Sequence, residues 1–365
     1  MTRIDRIETF LRDEVLLVRV TTDDGHEGWG QTAPYHAGLT EHVLHEMVAP
    51  IFLGQDPWDV EALVTRTLRT HYKFLGGFLH RAVGGLDTAL WDLVGKAAGV
   101  PVHKLLGGES RSSVPVYVSS MIRTTTPQEE AARIADQNAD KGYRAVKTRV
   151  GNEMGADMDK WPGRTEEIIR VMREELGDDI ELSADANGGF SIGRAIRIGR
   201  MLEDYGYFHY EEPLPYPDIE GLAHVTSTLD IPVSGGEQDY SMSQFRRLLG
   251  MRAVDIVQPD IGYIGGVSRA RKVAVLAEAA GIPCTPHCAN HSLLQVFTLH
   301  LAVAMPSCSQ YQEWSAESPR WTHDIYSPMP RVVNGEVAAP VLPGWGVEID
   351  SAFLSATTAR VSVLA

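Results

Sequence analysis

Six ionisable residues recur along the second half of the chain at nearly constant spacing: Asp185, Glu211, Glu237, Asp260, His287 and Glu313. Their successive separations, by subtraction of residue numbers, are 26, 26, 23, 27 and 26. Each falls in or at the end of a short run that reads as a strand: ELSADAN, FHYEEP, PVSGGE, DIVQPD, PCTPHC and YQEWS. One strand, a loop, a helix and a return loop consume about that many residues, because strands average about 5–6 and helices about 11–12. A chemical group at the carboxyl end of every strand is how a (β/α) barrel assembles an active site.

The residue types define the chemistry. Side chains alternate along a strand, so Ser183, Asp185 and Asn187 share the interior face. Asp185, Glu211 and Glu237 end three consecutive strands and converge at the barrel mouth. Three ionised carboxylates held together repel strongly, and a hard divalent cation with oxygen ligands, Mg²⁺, resolves the conflict. The competing role for each acid alone is a partner for Lys or Arg, or a cap for the next helix. Alternation turns Glu212 outward if Glu211 faces in, so the ligand is assigned to Glu211.

Lys147 and Arg149, in AVKTRV, share one face of the preceding strand and suit an anionic substrate or developing negative charge. Asp260 and His287 end adjacent strands; a carboxylate behind an imidazole fixes its tautomer and raises its basicity, as a general base requires. Glu313 ends the last strand, either as a protonated donor to a substrate oxygen or as a partner of Lys147. Cys284, His287, Cys288 and His291 resemble zinc ligands in spacing. An extended strand turns both cysteines away from His287 and cannot wrap four ligands round one ion.

These groups need a scaffold. The chain has 365 residues, 44% hydrophobic and 22% charged, which is ordinary globular composition. A formal net charge of −15 argues against a general nucleic-acid binder. No run approaches a membrane span, the N-terminus has no signal-peptide core, and three cysteines build no disulfide framework; a reducing cytoplasm is the plain reading. Residues 3–35 alternate as strands around the hairpin signal Asp23-Asp24-Gly25, and 39–98 carry helical periodicity. From residue 114, eight strand candidates (114–120, 145–150, 181–187, 208–212, 233–237, 255–260, 283–288 and 311–315) alternate with amphipathic stretches, which argues a closed parallel barrel. The expected division is an α+β capping domain over 1–112, a barrel over 113–325 and a tail over 326–365 that packs back on the cap.

The motifs LDTALWDLVGKAAGVPVHKLLGG, KTR, DAN, EEP, GGE, QPD followed by IGYIGG, PHCANHSL and PGWGVEID occur in that order over nearly the whole chain. In this the sequence resembles the enolase superfamily, in its mandelate racemase group, whose sites use a Lys or His base with one or two Mg²⁺ ions to abstract a proton α to a carboxylate. The resemblance implies an α/β fold, a modified (β/α)₇β barrel with an N-terminal α+β cap. It implies Mg²⁺ on Asp185, Glu211 and Glu237, a His287–Asp260 dyad, substrate contacts from Glu313 and Asn187, and a symmetric homo-oligomer, often an octamer. It also places substrate choice in capping loops, here near His26–Gly38 and Tyr72–His80, with Tyr35 and His36 as partners for substrate hydroxyls.

One departure redirects the reading. The group's usual Lys-x-Lys carries a second base, but here that position is Arg149, which stays protonated. A racemase needs bases on both faces. A dehydratase can use His287 alone, first for the α-proton and then for the departing β-hydroxyl. The sequence therefore points to a Mg²⁺-dependent acid-sugar dehydratase giving a 2-keto-3-deoxy acid. A racemase or epimerase with the same enolate and an inactive carboxylate-binding protein are the alternatives.

Overall fold

The computed structural model describes residues 2–139 and 141–364; the outermost positions of the expected domain division, 1 and 365, lie outside them. The N-terminal part is an antiparallel meander of β1 (Ile4–Arg12), β2 (Val15–Thr22) and β3 (Glu27–Gln31). The β2–β3 turn closes with Gly25 at φ 86° and a hydrogen bond from Thr22 N–H to the His26 carbonyl (2.9 Å), the hairpin that Asp-Asp-Gly signals. The C-terminal strand Thr358–Val363 pairs antiparallel with β1, so both ends of the chain share one sheet.

A 22-residue helix, Gly77–Ala98, lies on that sheet and ends at Gly99 in the left-handed conformation. It approaches β3 backbone to backbone: a Cβ on Gly28 would stand 2.2 Å from the Ala89 carbonyl oxygen, and one on Gly30 would stand 2.3 Å from that of Gly85. Near the helix end, the buried Asp92 carboxylate accepts the N–H groups of Trp29 and Trp345, both at 2.8 Å, and pairs with Lys96 at 2.6 Å. That one side chain joins cap sheet, cap helix and C-terminal tail.

The second part is a curled parallel sheet with helical crossovers, an α/β fold beneath the cap. Its strands are β4 (Val114–Ser119), β5 (Ala145–Arg149), β6 (Glu181–Asp185), β7 (His209–Glu211), β8 (Val233–Gly235), β9 (Ile256–Val257) and β10 (Gln312–Ser315). They follow the order β10-β4-β5-β6-β7-β8-β9. The strand expected over 283–288 is reduced to two parallel bridges, Val257 with Cys284 and Asp260 with His287. Pro283 and Pro286 explain this, since each removes a ladder donor. From there to β10 the wall is tied by side chain: Cys288 N–H donates to Glu313 Oε2 at 3.2 Å.

Candidate active site

Strand register builds the site in rows. Arg149, Asp185, Glu211 and Ser234 are successive ladder partners, and Ser119, Lys147, Ser183 and His209 form the row beneath. Partners in a parallel ladder project to the same side, so both rows face the barrel interior. Asp185, Glu211 and Glu237 each bring a carboxylate oxygen within 4.8 Å of the others, and all three are buried. Among the described residues this is the one such cluster; the spacing of Cys284, His287, Cys288 and His291 produces no second.

Cations enter from β5. Lys147 is fully buried, with Nζ 2.6 Å from Glu211 Oε1, 2.9 Å from Glu313 Oε1 and 3.6 Å from Asp185 Oδ2. Burial works against its charge, but Glu211 and Glu313 outweigh it and raise the pKa. Burial likewise works against the charge of Glu211 and Glu313, yet Lys147 holds both acids ionised, Glu313 down to about 2. Glu237 differs. Burial raises its pKa, Glu211 and Glu313 add to the rise, and its Oε2 is a buried acceptor with no hydrogen-bond donor. Three oxygens in reach of one point, one of them orphaned, fit a hard cation.

The dyad faces this group. Asp260 divides its carboxylate: Oδ1 accepts the Tyr263 N–H (2.9 Å) as the cap of the short helix Ile261–Ile264, leaving Oδ2 for His287 Nδ1 at 2.7 Å. Helix geometry thereby fixes the ring that the carboxylate orients. His287 Nε2 points at Glu237 Oε2 and Glu313 Oε2, each 3.4 Å away. Burial lowers the pKa of this imidazole, but Glu237, Glu313 and Asp260 overcome that and raise it to about 10.

Several sequence expectations change at close range. Arg149 was expected to clamp substrate charge, but its guanidinium pairs with Asp185 and donates to Asn187 Oδ1 (3.0 Å) and the Ser120 carbonyl (2.9 Å). Asn187 is equally committed: Oδ1 also accepts from Arg123 Nη2 at 2.7 Å, and Nδ2 donates to Asp185 Oδ2 at 3.3 Å. Glu212 does not turn outward. At φ 41° it leaves the extended conformation, which ends the alternation, and its side chain is buried where the Asn187 amide reaches it at 3.5 Å. Glu313 lies beside Lys147, with Oε1 2.9 Å from its Nζ and accepting from Ser119 Oγ at 2.7 Å, while its Oε2 faces His287.

The dyad opens into a cavity of about 170 Å³ whose walls include Pro34, Tyr35, Met121, Tyr263, Asn290 and Trp321. A larger cavity, about 530 Å³, lies at the opposite ends of the strands around Pro115, Glu181, Phe208 and Pro232, away from the dyad and the carboxylate cluster. Tyr35 lines the smaller cavity from the cap; His36 does not, and its ring meets Phe78 edge-on at 6.5 Å. Tyr72, Leu75 and His80, from the second expected capping loop, line a separate cleft against Tyr240 and Met242.

Sequence reasoning missed Gln258, whose Nε2 donates to Glu211 Oε2 at 3.1 Å, although it lies just past β9 and two residues before Asp260 in the QPD motif. It also missed Tyr263, inside the IGYIGG stretch. For Arg123 and Arg81 the sequence carries no signal, since each acts from a loop or helix position without periodic meaning.

Comparison with known proteins agrees with this architecture. Residues 6–107 match the N-terminal domain of the mandelate racemase / muconate lactonizing enzyme family, and residues 129–353 match the enolase C-terminal domain-like family. An L-talarate/galactarate dehydratase of Salmonella typhimurium is 32% identical over 327 residues, 88% of this chain and 77% of that protein. Among solved structures, a protein described as a putative racemase from Roseobacter denitrificans is 46% identical, with TM-score 0.96 over 99% of this chain and 100% of that one. A mandelate racemase/muconate lactonizing protein from Paracoccus denitrificans complexed with magnesium is 31% identical, with TM-score 0.91 over 100% of this chain and 98% of that one.

Proposed function

Because the chain belongs to the mandelate racemase / muconate lactonizing enzyme family of the enolase superfamily, we propose that it is a Mg²⁺-dependent hydro-lyase that dehydrates an acid sugar. The observation that carries the choice is the asymmetry of the bases. His287 has a carboxylate behind it and the cavity beside it, whereas Lys147 is locked between Glu211 and Glu313 and Arg149 is locked on Asp185. One face of the substrate therefore meets a group able to exchange a proton, and the other meets fixed cations.

Asp185, Glu211 and Glu237 would hold the Mg²⁺, which when bound supplies Lewis-acid stabilisation of charge on the substrate carboxylate, worth several kcal/mol. His287 Nε2 takes the proton α to that carboxylate, and the C–H electron pair moves into the enediolate. Asp260 accepts Nδ1–H throughout and stabilises the imidazolium that forms. Lys147 opposes the growing charge without a change in its own protonation. The imidazolium then returns its proton to the β-hydroxyl, the C–O bond breaks, water leaves, and the enol becomes a 2-keto-3-deoxy acid. A divalent cation shared by Glu237 would offset part of the field that keeps His287 charged, leaving Nε2 free to accept.

Incubating the protein with Mg²⁺ and a panel of aldonates and aldarates, with semicarbazide detection of 2-keto acid, tests the proposal. Recovery of epimers with no keto acid would replace it by an epimerase, the reading that the description of the Roseobacter protein favours.

A further inference from the structure

The cavity beside the dyad has two walls from different domains, and one side chain holds both. Arg81, near the start of the cap helix Gly77–Ala98, donates from Nη1 to the Pro34 carbonyl at 2.6 Å. Its guanidinium carbon also lies 4.3 Å from the ring centroid of Tyr263, a barrel residue. Pro34 and Tyr263 line the cavity together with Tyr35, Asp260 and His287.

The backbone just past Pro34 is unusual. Tyr35 and His36 are consecutive non-glycine residues in the left-handed region, at φ 66° and 55°. Such residues persist only where surroundings over-determine them, and they cluster at ligand sites. The Arg81 bond to Pro34 supplies part of that constraint. The contacts of the Arg81 guanidinium are with the Pro34 carbonyl and the Tyr263 ring.

Tyr263 has its own anchors. Its N–H caps onto Asp260, and its ring centroid is 6.3 Å from that of His287. Its hydroxyl has no hydrogen-bond partner among the described residues, and the same holds for Tyr35. Two tyrosines whose hydroxyls make no hydrogen bond within the described residues line a small cavity beside the dyad, a lining suited to a chain of hydroxyl groups.

We propose that Tyr263 is a specificity-determining residue that binds a hydroxyl of the substrate, and that Arg81 is its positioning residue, locking the Tyr35 loop and the Tyr263 ring into one wall. The assignment of the ligand as a polyhydroxy acid rests on the dehydratase reading; the clamp itself does not. Tyr263→Phe removes only the hydroxyl and should raise KM roughly 3- to 10-fold for the best acid sugar, with a smaller change in kcat, the loss expected for one neutral hydrogen bond. Arg81→Met should raise KM in the same direction and add little on top of Tyr263→Phe, because both act through one contact. Arg81→Lys, which keeps the charge and a donor but not the planar fork, should recover part of the loss.

Hydrogen exchange without substrate separates the clamp from the dehydratase reading. Arg81→Met should accelerate exchange across residues 33–39 about 10-fold or more while Mg²⁺ binding, followed by calorimetry, stays at the parent value. Unchanged exchange in Arg81→Met would overturn the clamp. Unchanged KM in Tyr263→Phe, in a parent that dehydrates an acid sugar, would overturn the hydroxyl contact. A parent that turns over no acid sugar would overturn the dehydratase reading and with it the assigned ligand, while the exchange result would still decide the clamp.

Discussion

The two sides of the cavity are built on opposite principles. The barrel side is made of strand ends in register: Arg149, Asp185, Glu211 and Ser234 are neighbours because their backbones are hydrogen-bonded, and every one is buried. The cap side is made of a loop, with Tyr35 55% exposed, in the left-handed region, and tied through Pro34 to Arg81. The barrel side fixes charge through ladder register and burial and has little freedom to vary. The cap side presents removable groups on a backbone that can change without disturbing the sheet. On the proposed reading the chemistry belongs to the barrel side, and recognition of the substrate is shared between Tyr263 at the barrel edge and the cap loop that Arg81 joins to it.

Loss of a barrel carboxylate should have the largest effect. Asp185→Asn or Glu211→Gln removes a ligand and also strands a buried cation, Arg149 or Lys147, so two costs coincide. Turnover should fall about 10³-fold or more, and calorimetric Mg²⁺ binding should disappear. Retention of Mg²⁺ affinity in both variants would move the metal elsewhere. His287→Asn comes next, at about 10²–10⁴-fold in kcat, the usual weight of a general acid–base. Mg²⁺ binding should survive there, because His287 touches Glu237 only across 3.4 Å. If Mg²⁺ binding is lost as well, the dyad and metal site are one unit.

Arg149→Lys probes whether the departure from Lys-x-Lys is a matter of base or of scaffold. A lysine cannot bond Asp185, Asn187 and the Ser120 carbonyl as the planar fork does. About a 10- to 100-fold loss of activity or Mg²⁺ affinity is expected, as for other groups that orient a metal ligand. No epimer should appear in ²H₂O. Its appearance would show that the position is a latent second base. On the cap side, Tyr35→Phe should cost only a few-fold, in KM.

The same contrast explains what could be read from the sequence. Asp185, Glu211 and Glu237 were legible because a period-two strand repeated at a barrel spacing leaves few places for a side chain to go. His287 and Asp260 were legible for that reason too, although Pro283 and Pro286 dissolve the strand that carries His287 into two bridges. Alternation failed one residue beyond β7, where Glu212 turns at φ 41° and stays buried. At Asn187 alternation places the side chain beside Asp185 but cannot show that Arg123 and Arg149 already occupy its amide oxygen. Arg81 reaches Pro34 across 47 positions and Tyr263 across a domain boundary. Such contacts obey no period, and only tertiary packing brings them together.

The smallest predicted effect concerns the cap's dependence on pH, where buried groups of opposite sign compete. Burial holds His45 and His80 neutral, each with its pKa down to about 4. His45 bridges Thr9 and Ser362, at 2.9 and 2.7 Å, and His80 lies against Tyr240 of the barrel. An unfolded chain protonates these rings near pH 6.5, so their stabilisation is full above that value and drains away as pH falls towards 4. Asp87, on the same cap helix, is pushed up by burial to about 7, against the opposing hydrogen bonds of Ser268. Its neutral form stabilises the fold in acid, and that contribution is lost as pH rises from about 3.8 through 7. Over pH 4–6.5 the two trends oppose each other, so the parent should show a shallow dependence. His45→Gln with His80→Gln should uncover a stability that falls as pH rises, and Asp87→Asn one that rises with pH, each by a few degrees in Tm. Parallel profiles for all three proteins would mean that these groups titrate alike folded and unfolded, and that the cap is looser around its buried charges than the barrel is around its own.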